Sequence, residues 1–113
     1  MTRRVYDPPH KIEGRLFLVD GLWPRGIAKE RLGDAVWLKA VAPSAELRRW
    51  YGHDPARWEE FVRRYHAELD RNPEAWAPIV EAARVGPVTL LFATREASRS
   101  NAEALRRYLT NKV

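Results

Sequence analysis

Apolar residues along this chain follow two periods, and glycines and prolines separate the segments. RLFLVD at 15–20 and VTLLFAT at 88–94 are continuous apolar runs, typical of strands that are covered on both faces. RRVY at 3–6 predicts a shorter strand. The segment 35–41 fits either a further short strand or a helix that ends at Pro43.

Helix signals fill the space between these runs. Residues of the types that cap helix N-termini precede four segments: Ser44, Asp54, Asn72 and Ser100. Pro55 and Pro73 directly follow two of these caps, where their missing amide hydrogens cost nothing. Gly52 and Gly86 predict helix ends, and Glu103 lies three residues after Ser100, as in a capping box.

The segment that follows Asp54 shows the clearest helical period. Its apolar residues recur at spacings of three and four and predict one buried stripe: Trp58, Phe61, Val62, Tyr65 and Leu69. On the opposite face we expect the ion pairs Glu59 with Arg63 and Glu60 with Arg64, since each acid precedes its arginine by four residues.

The order of strand, helices, strand and helix is typical of a parallel sheet with covering helices. A length of 113 residues predicts one domain. We therefore expect an α/β fold, a single small three-layer domain over residues 1–113 with a short, mainly parallel sheet.

Composition excludes several kinds of chemistry. The chain has no cysteine, which excludes thiol catalysis and disulfides. No apolar run approaches the roughly 20 residues of a membrane helix, and the N-terminal MTRRVYDPP lacks the apolar part of a secretion signal, so a cytoplasmic setting without a membrane partner is expected. No spacing suggests a metal site, a Gly-rich phosphate loop or a nucleophile elbow, and no metal or cofactor is predicted.

The charge is basic and comes mainly from arginine. Twenty Lys and Arg oppose fifteen Asp and Glu, for a net charge of +5, and sixteen of the cations are arginine. This balance favours an anionic partner, although a genome rich in arginine codons explains it equally well.

Two loops are expected to meet at one edge of the sheet. In parallel sheets, ligands bind at the carboxyl ends of the strands, where the segments after 15–20 and 88–94 would converge. Their side chains, with the amides that begin the last helix, suit an anion. The predicted ligand-binding residues are Asp20, Trp23, Arg25, Lys29, Thr94, Arg95, Ser98, Arg99, Ser100 and Asn101.

Asp20 and His53 are the candidate catalytic residues, and each has an alternative role. Asp20 either caps the following turn or orients Arg25, which in turn either binds a ligand or forms a structural pair with Asp20. Trp23 would shield that pair. His53 either acts as a general acid or base, or caps the preceding helix or pairs with Asp54.

Four stretches carry a family resemblance: RVYDPP at 4–9, LVDGLWPRG at 18–26, WLKAVAPSAELRRWYGHDPARWEEF at 37–61 and GPVTLLFATRE at 86–96. They resemble the YeaO-like family of small bacterial proteins, a branch of the domain-of-unknown-function group 488. The resemblance covers nearly the whole chain. It implies a small α/β domain in the cytoplasm and supplies no established catalytic residues.

The chain departs from that family's pattern at two places. Gly21 stands where the family usually has arginine, and Ser100 with Asn101 stands where it usually has an Asn-His pair. If those positions served a reaction, this chain has altered or lost it. Alternatively, Arg99 fills the space left by Gly21.

Two classes of function follow. The favoured class is an enzyme or binder that takes an anionic metabolite or nucleotide, bearing phosphate or carboxylate, in the strand-end cleft. The alternative is a nucleic-acid-binding protein that uses the arginine pairs 3–4, 48–49, 63–64 and 106–107. We favour the cleft because several of those arginine pairs have glutamates on their own helix, with which the arginines can form ion pairs.

Overall fold

The computed structural model of the protein describes residues 2–6 and 14–112. A parallel four-stranded sheet lies at its centre, in the order β1-β4-β2-β3. The strands are β1 (Thr2–Arg4), β2 (Arg15–Leu18), β3 (Val36–Trp37) and β4 (Val88–Phe92). The predicted α/β class and the parallel arrangement are confirmed, although the strands are shorter than the apolar runs that predicted them.

In the part of the chain that the structure describes, five α-helices cover the sheet: α1 (Lys29–Leu32), α2 (Ala45–Tyr51), α3 (Trp58–Asp70), α4 (Pro73–Val85) and α5 (Asn101–Thr110). The segment 35–41, which fitted either a strand or a helix, contains a short strand and a 3-10 turn. Val36–Trp37 pairs with β2, and a 3-10 turn, Lys39–Val41, follows at once. Among the described residues, no helix is both long and apolar enough to cross a membrane.

The sheet order explains why the two faces are covered differently. The connection from β2 leads outward to β3, whereas the connection from β3 leads back past β2 to β4. Right-handed crossovers in opposite directions lie on opposite faces. The core is accordingly divided: α1 and the preceding loop pack with Leu18 and Leu91, while α2 to α5 pack with Phe17, Leu90 and Phe92. The three layers are therefore unequal in thickness.

Three of the four predicted N-caps, Ser44, Asp54 and Ser100, form side-chain hydrogen bonds, whereas Asn72 precedes α4 without one. The Ser44 hydroxyl accepts the Leu47 amide hydrogen at 3.1 Å, and the Glu68 carboxylate accepts from the Ser44 amide and hydroxyl at 2.9 and 2.7 Å. Gly52 ends α2 with a left-handed φ of 54°. The 3-10 turn that leads into α3 begins at Asp54, whose carboxylate accepts from Ala56 at 3.0 Å. These contacts fix the orientation of α2 and the start of α3 beside the sheet.

Two expected side-chain pairs differ in detail. Glu60 pairs with Arg64 at 2.8 Å as predicted, but it also takes Arg63, which was expected to pair with Glu59. In α5, Ser100 caps the helix, while the carboxylate of Glu103 bonds Arg106 and Arg107. In both cases one glutamate holds two arginines that lie three and four residues ahead of it, both within reach on a helix.

Tyr65 joins α3 to the 3-10 turn before Pro43. Its side chain is fully buried, and its hydroxyl donates to the Val41 carbonyl at 2.6 Å. Val41 is also fully buried, so no water can replace this bond.

We expect Tyr65→Phe to lower the free energy of unfolding by about 1 to 3 kcal/mol, the cost of a buried carbonyl left without a partner. Chemical denaturation measures the loss. Tyr6→Phe is the matched control, because the Tyr6 hydroxyl also donates to a carbonyl but in an exposed position. Equal stability of the two variants would contradict the role given to Tyr65.

Candidate functional site

A cavity of about 420 Å³ opens at the carboxyl ends of β2 and β4. The loop after β2, the segment after β4, and residues of α2 and α3 enclose it, so the two loops expected to converge do so. The lining residues are Tyr6, Asp20, Gly21, Leu22, Trp23, Pro24, Arg25, Pro43, Arg48, Tyr51, His53, Phe61, Ala93, Thr94, Arg99, Ser100 and Asn101.

Side-chain hydrogen bonds to backbone carbonyls hold the turn after β2. The Trp37 indole donates to the Asp20 carbonyl at 2.7 Å, and the Trp23 indole donates to the Ile27 carbonyl at 2.6 Å. Their rings meet edge to face with centroids 5.5 Å apart. The Tyr6 hydroxyl donates to the Arg25 carbonyl at 2.7 Å. The turn therefore presents Arg25 from a backbone anchored at several points.

Asp20 fastens this turn to the exit of β4. Its carboxylate accepts the Ala93 amide hydrogen at 2.9 Å and a bond from the Asn101 side chain. Burial raises the pKa of the Asp20 carboxyl, and the bonds from Asn101 and Ala93 and the charge of Arg48 oppose that rise. Within the described part of the chain Asp20 makes no ion pair with Arg25, so the expected pairing is replaced by contacts across the sheet.

Arg48 lies against Gly21. A Cβ atom added to Gly21 would lie 3.3 Å from the Arg48 Cζ and from both of its terminal nitrogens. The guanidinium thus lies face-on over the glycine. Arg48, rather than Arg99, occupies the space that the small residue leaves. Sequence reasoning missed this, because 27 positions separate the two residues and no local period connects them.

The arginines of the cavity differ in their partners. Arg99 pairs with Glu96 at 3.0 Å. Arg25 and Arg48 form no ion pair with any carboxylate in residues 2–6 and 14–112. Asp20 is the one carboxylate among the described lining residues, and Glu96 offsets Arg99, so Arg25 and Arg48 give the cavity an excess of positive charge.

Ser100 and Asn101 line the cavity but their polar atoms serve the fold. Ser100 is only 1% exposed, and its hydroxyl accepts from the Glu103 amide and donates to the Ala97 carbonyl, both at 3.0 Å. The Asn101 amide donates to the Val19 carbonyl at 3.1 Å and supports Asp20. Asn101 thus joins the start of α5 to the residue after β2, whereas the bonds of Ser100 stay within the turn that begins α5. Their contact with a ligand stays a prediction.

The other predicted residues divide into two groups. Trp23, Thr94 and Arg99 line the cavity, whereas Lys29, Arg95 and Ser98 do not. The last three are exposed and lie beyond the enclosing segments, on α1 or on the outer part of the loop after β4.

His53 also lines the cavity, next to the C-cap Gly52. Its backbone is left-handed, with a φ of 57°, which is uncommon for a residue with a side chain. Its ring centroid lies 5.9 Å from that of Tyr51, another lining residue that the sequence did not indicate. In the part of the chain that the structure describes, no group of three or more His, Asp or Glu is placed to hold a metal ion.

Comparison with known proteins places the chain in a family. A family model described as the inactive DUF488-N3 subclade matches residues 1–113. An uncharacterised Mycobacterium tuberculosis protein, Rv3073c, is 40% identical over 109 residues, which cover 96% of this chain and 92% of that protein. Escherichia coli YeaO, also uncharacterised, is 35% identical over 107 residues, which cover 95% and 93% of the two chains. No solved structure matches.

The raised pKa of Asp20 predicts a pH dependence of stability. Because the pKa of the folded state lies above the ordinary 3.8, the folded protein binds this proton more readily than the unfolded chain does. The free energy of unfolding should therefore fall as pH rises from 3.8 through the folded pKa, and Asp20→Asn should lack that component. Denaturation of both proteins across this range tests it.

Carbon NMR of the Asp20 carboxyl supplies the control. Arg48→Met should raise its pKa further, since the charge of Arg48 lowers it. An unchanged pKa in that variant would contradict the coupling between the two side chains.

Proposed function

The chain belongs to the inactive DUF488-N3 subclade, and from that membership and the cavity we propose that it binds, without turnover, a small anion bearing phosphate or carboxylate. One observation carries the proposal: Arg25 and Arg48 line a cavity at the strand ends, and no described carboxylate pairs with them.

The contrast with the helix surfaces supports this assignment. Arg64 pairs with Glu60 at 2.8 Å, and Arg106 and Arg107 pair with Glu103 at 2.8 and 3.1 Å. Arg25 and Arg48 have no such partner among the described residues. Arg49 and Arg84, on exposed helix faces, also lack one, so Arg25 and Arg48 are distinguished by their position in a cavity. A guanidinium fork with unused donors suits the two oxygens of a carboxylate or phosphate.

The support beneath Arg48 also suits binding. Its guanidinium lies over Gly21, and the charge of Asp20 attracts it from the neighbouring position. A side chain that is already restricted loses less conformational entropy when a ligand arrives. Asp20 itself would repel an anion, but Ala93 and Asn101 already hydrogen-bond its carboxylate.

The candidate catalytic groups fit binding better than turnover. The Asp20 carboxylate is engaged by Ala93 and Asn101, and the Ser100 hydroxyl is engaged in the cap of α5. His53 contributes an exposed imidazole, yet the Ser100 hydroxyl that lines the same cavity is buried. This distribution agrees with the description of the subclade as inactive.

A nucleic-acid-binding role is the second candidate and is less well supported. Four of the arginines that would contact phosphates, those of pairs 63–64 and 106–107, already pair with glutamates on their own helices. Binding a duplex would require those pairs to be broken, which weakens the electrostatic gain on which such binding depends.

We expect Arg48→Ala to weaken the binding of inorganic phosphate or acetate by about 1.5 to 3 kcal/mol, the range for hydrogen bonds to charged groups. Arg25→Ala should act in the same direction. Isothermal titration calorimetry at low ionic strength measures both losses.

Arg64→Ala is the matched control for this experiment, because it removes the same charge from a helix face outside the cavity. It should leave anion affinity within twofold, roughly 0.4 kcal/mol. Equal losses in all three variants would show that net charge, rather than the cavity, attracts the anion. An affinity for duplex DNA that exceeds anion binding would favour the second candidate.

Gly21→Ala tests the support beneath Arg48. The added methyl group would displace the guanidinium, so anion affinity should fall by about 0.5 to 1.5 kcal/mol, the net value of one hydrogen bond. Gly86→Ala is the control, since a Cβ there meets nothing within 4 Å and its φ of −178° is open to any residue. Thermal unfolding of both variants checks that the fold persists. Unchanged anion affinity in Gly21→Ala would show that Gly21 does not contribute to anion binding.

A further inference from the structure

We infer that the occupant of the cavity is an aromatic anion: a phosphate or carboxylate attached to a flat ring that packs against the aromatic lining. The inference rests on the proposed function, since it assigns the arginines to the anionic group. It adds the chemical class of the remainder of the ligand.

The size of the cavity is the first reason. Its volume is about 420 Å³, within the range of sites for organic ligands. One liquid water molecule takes about 30 Å³, so a tetrahedral oxyanion alone would leave most of this space to solvent. The two arginines occupy only part of the wall. A ligand that fits the whole cavity therefore has a body in addition to its charged group.

The character of the remaining wall is the second reason. Four aromatic side chains line it: Tyr6, Trp23, Tyr51 and Phe61. Tyr51 and Phe61 stack on each other with centroids 4.5 Å apart and an interplanar angle of 25°. Both are nearly buried, whereas Tyr6 is 40% exposed. Aromatic surface thus extends from the inner wall to the mouth.

The apolar groups at the mouth are held in place although solvent reaches them. The Tyr6 ring is fixed through its hydroxyl bond to the Arg25 carbonyl, and the Arg4 guanidinium lies 5.5 Å from its centroid. Trp23 is fixed through its indole bond to Ile27. Leu22 is 69% exposed beside them. Exposed apolar groups gathered at a concave site mark a ligand surface.

These features favour a ring over an aliphatic chain. Aromatic pairs gain from offset or edge-to-face contacts beyond the area that they bury. A ring joined directly to an anionic group would place its face on the aromatic lining while its oxygens reach the arginines.

The test compares the affinities of phenyl phosphate, cyclohexyl phosphate and methyl phosphate by calorimetry on the intact protein, with benzoate and acetate as the carboxylate pair. Phenyl phosphate should bind about ten-fold more tightly than methyl phosphate and more tightly than cyclohexyl phosphate. If phenyl and methyl phosphate bind equally, or if cyclohexyl phosphate binds as well as phenyl phosphate, the inference is overturned and the proposed function stands. If none of these anions binds, both fail.

A pair of variants at Tyr6 assigns the contact. Tyr6→Phe keeps the ring and loses the hydroxyl bond, whereas Tyr6→Leu loses both. The ratio of the phenyl phosphate affinity to the methyl phosphate affinity should persist in Tyr6→Phe and fall about threefold in Tyr6→Leu. A distorted turn would weaken both ligands alike and leave the ratio unchanged. An unchanged ratio in Tyr6→Leu would therefore overturn the stacking contact.

Discussion

The hydrogen bond from the Ala93 amide to the Asp20 carboxylate joins the exits of the two central strands, and the geometry of the site depends on it. β2 and β4 are neighbours although about 70 residues separate them, and both loops leave the sheet at the same edge. Asp20 then connects three elements: β4 through Ala93, α5 through Asn101 and α2 through the charge of Arg48. Burying this carboxyl group raises its pKa, and its contacts oppose that cost, so one side chain ties the sheet, two helices and the site together.

The same arrangement separates two uses of arginine. On α3 and α5 a single glutamate holds two arginines, so each acid offsets part of the positive charge on its helix surface. Among the described residues that line the cavity there are three arginines and one carboxylate, Asp20, which bonds mainly to backbone and amide groups. Arg99 has its partner, Glu96, outside this lining. The net charge of +5 is therefore less informative than its placement. Two arginines without a carboxylate partner among the described residues, Arg25 and Arg48, lie in a concave, partly aromatic cavity, which is the basis for proposing an anion there.

Local signals predicted the fold well and the site only in part. The sequence predicted the caps at Ser44, Asp54 and Ser100 because each cap is a hydrogen bond between residues at most three positions apart. The meeting of the loops after β2 and β4 followed from the rule for parallel sheets. The sequence did not indicate Arg48 as a site residue, since its position depends on how α2 packs over Gly21. Ser100 and Asn101 lie at the site as expected, but the Ser100 hydroxyl bonds within the turn that begins α5, and the Asn101 amide bonds the Val19 carbonyl.

On the proposed function, Arg25 and Arg48 in the cavity bind the anion, rather than the basic surface as a whole. Nitrogen NMR of the arginine side chains during titration with inorganic phosphate tests it most directly, because every guanidinium reports separately. We expect saturable shifts at Arg25 and Arg48, followed by the backbone amides of Gly21 and Ala93, and little change at Arg64, Arg106 and Arg107. Shifts of similar size at the helix arginines, or a response at Arg25 and Arg48 that never saturates, would contradict it.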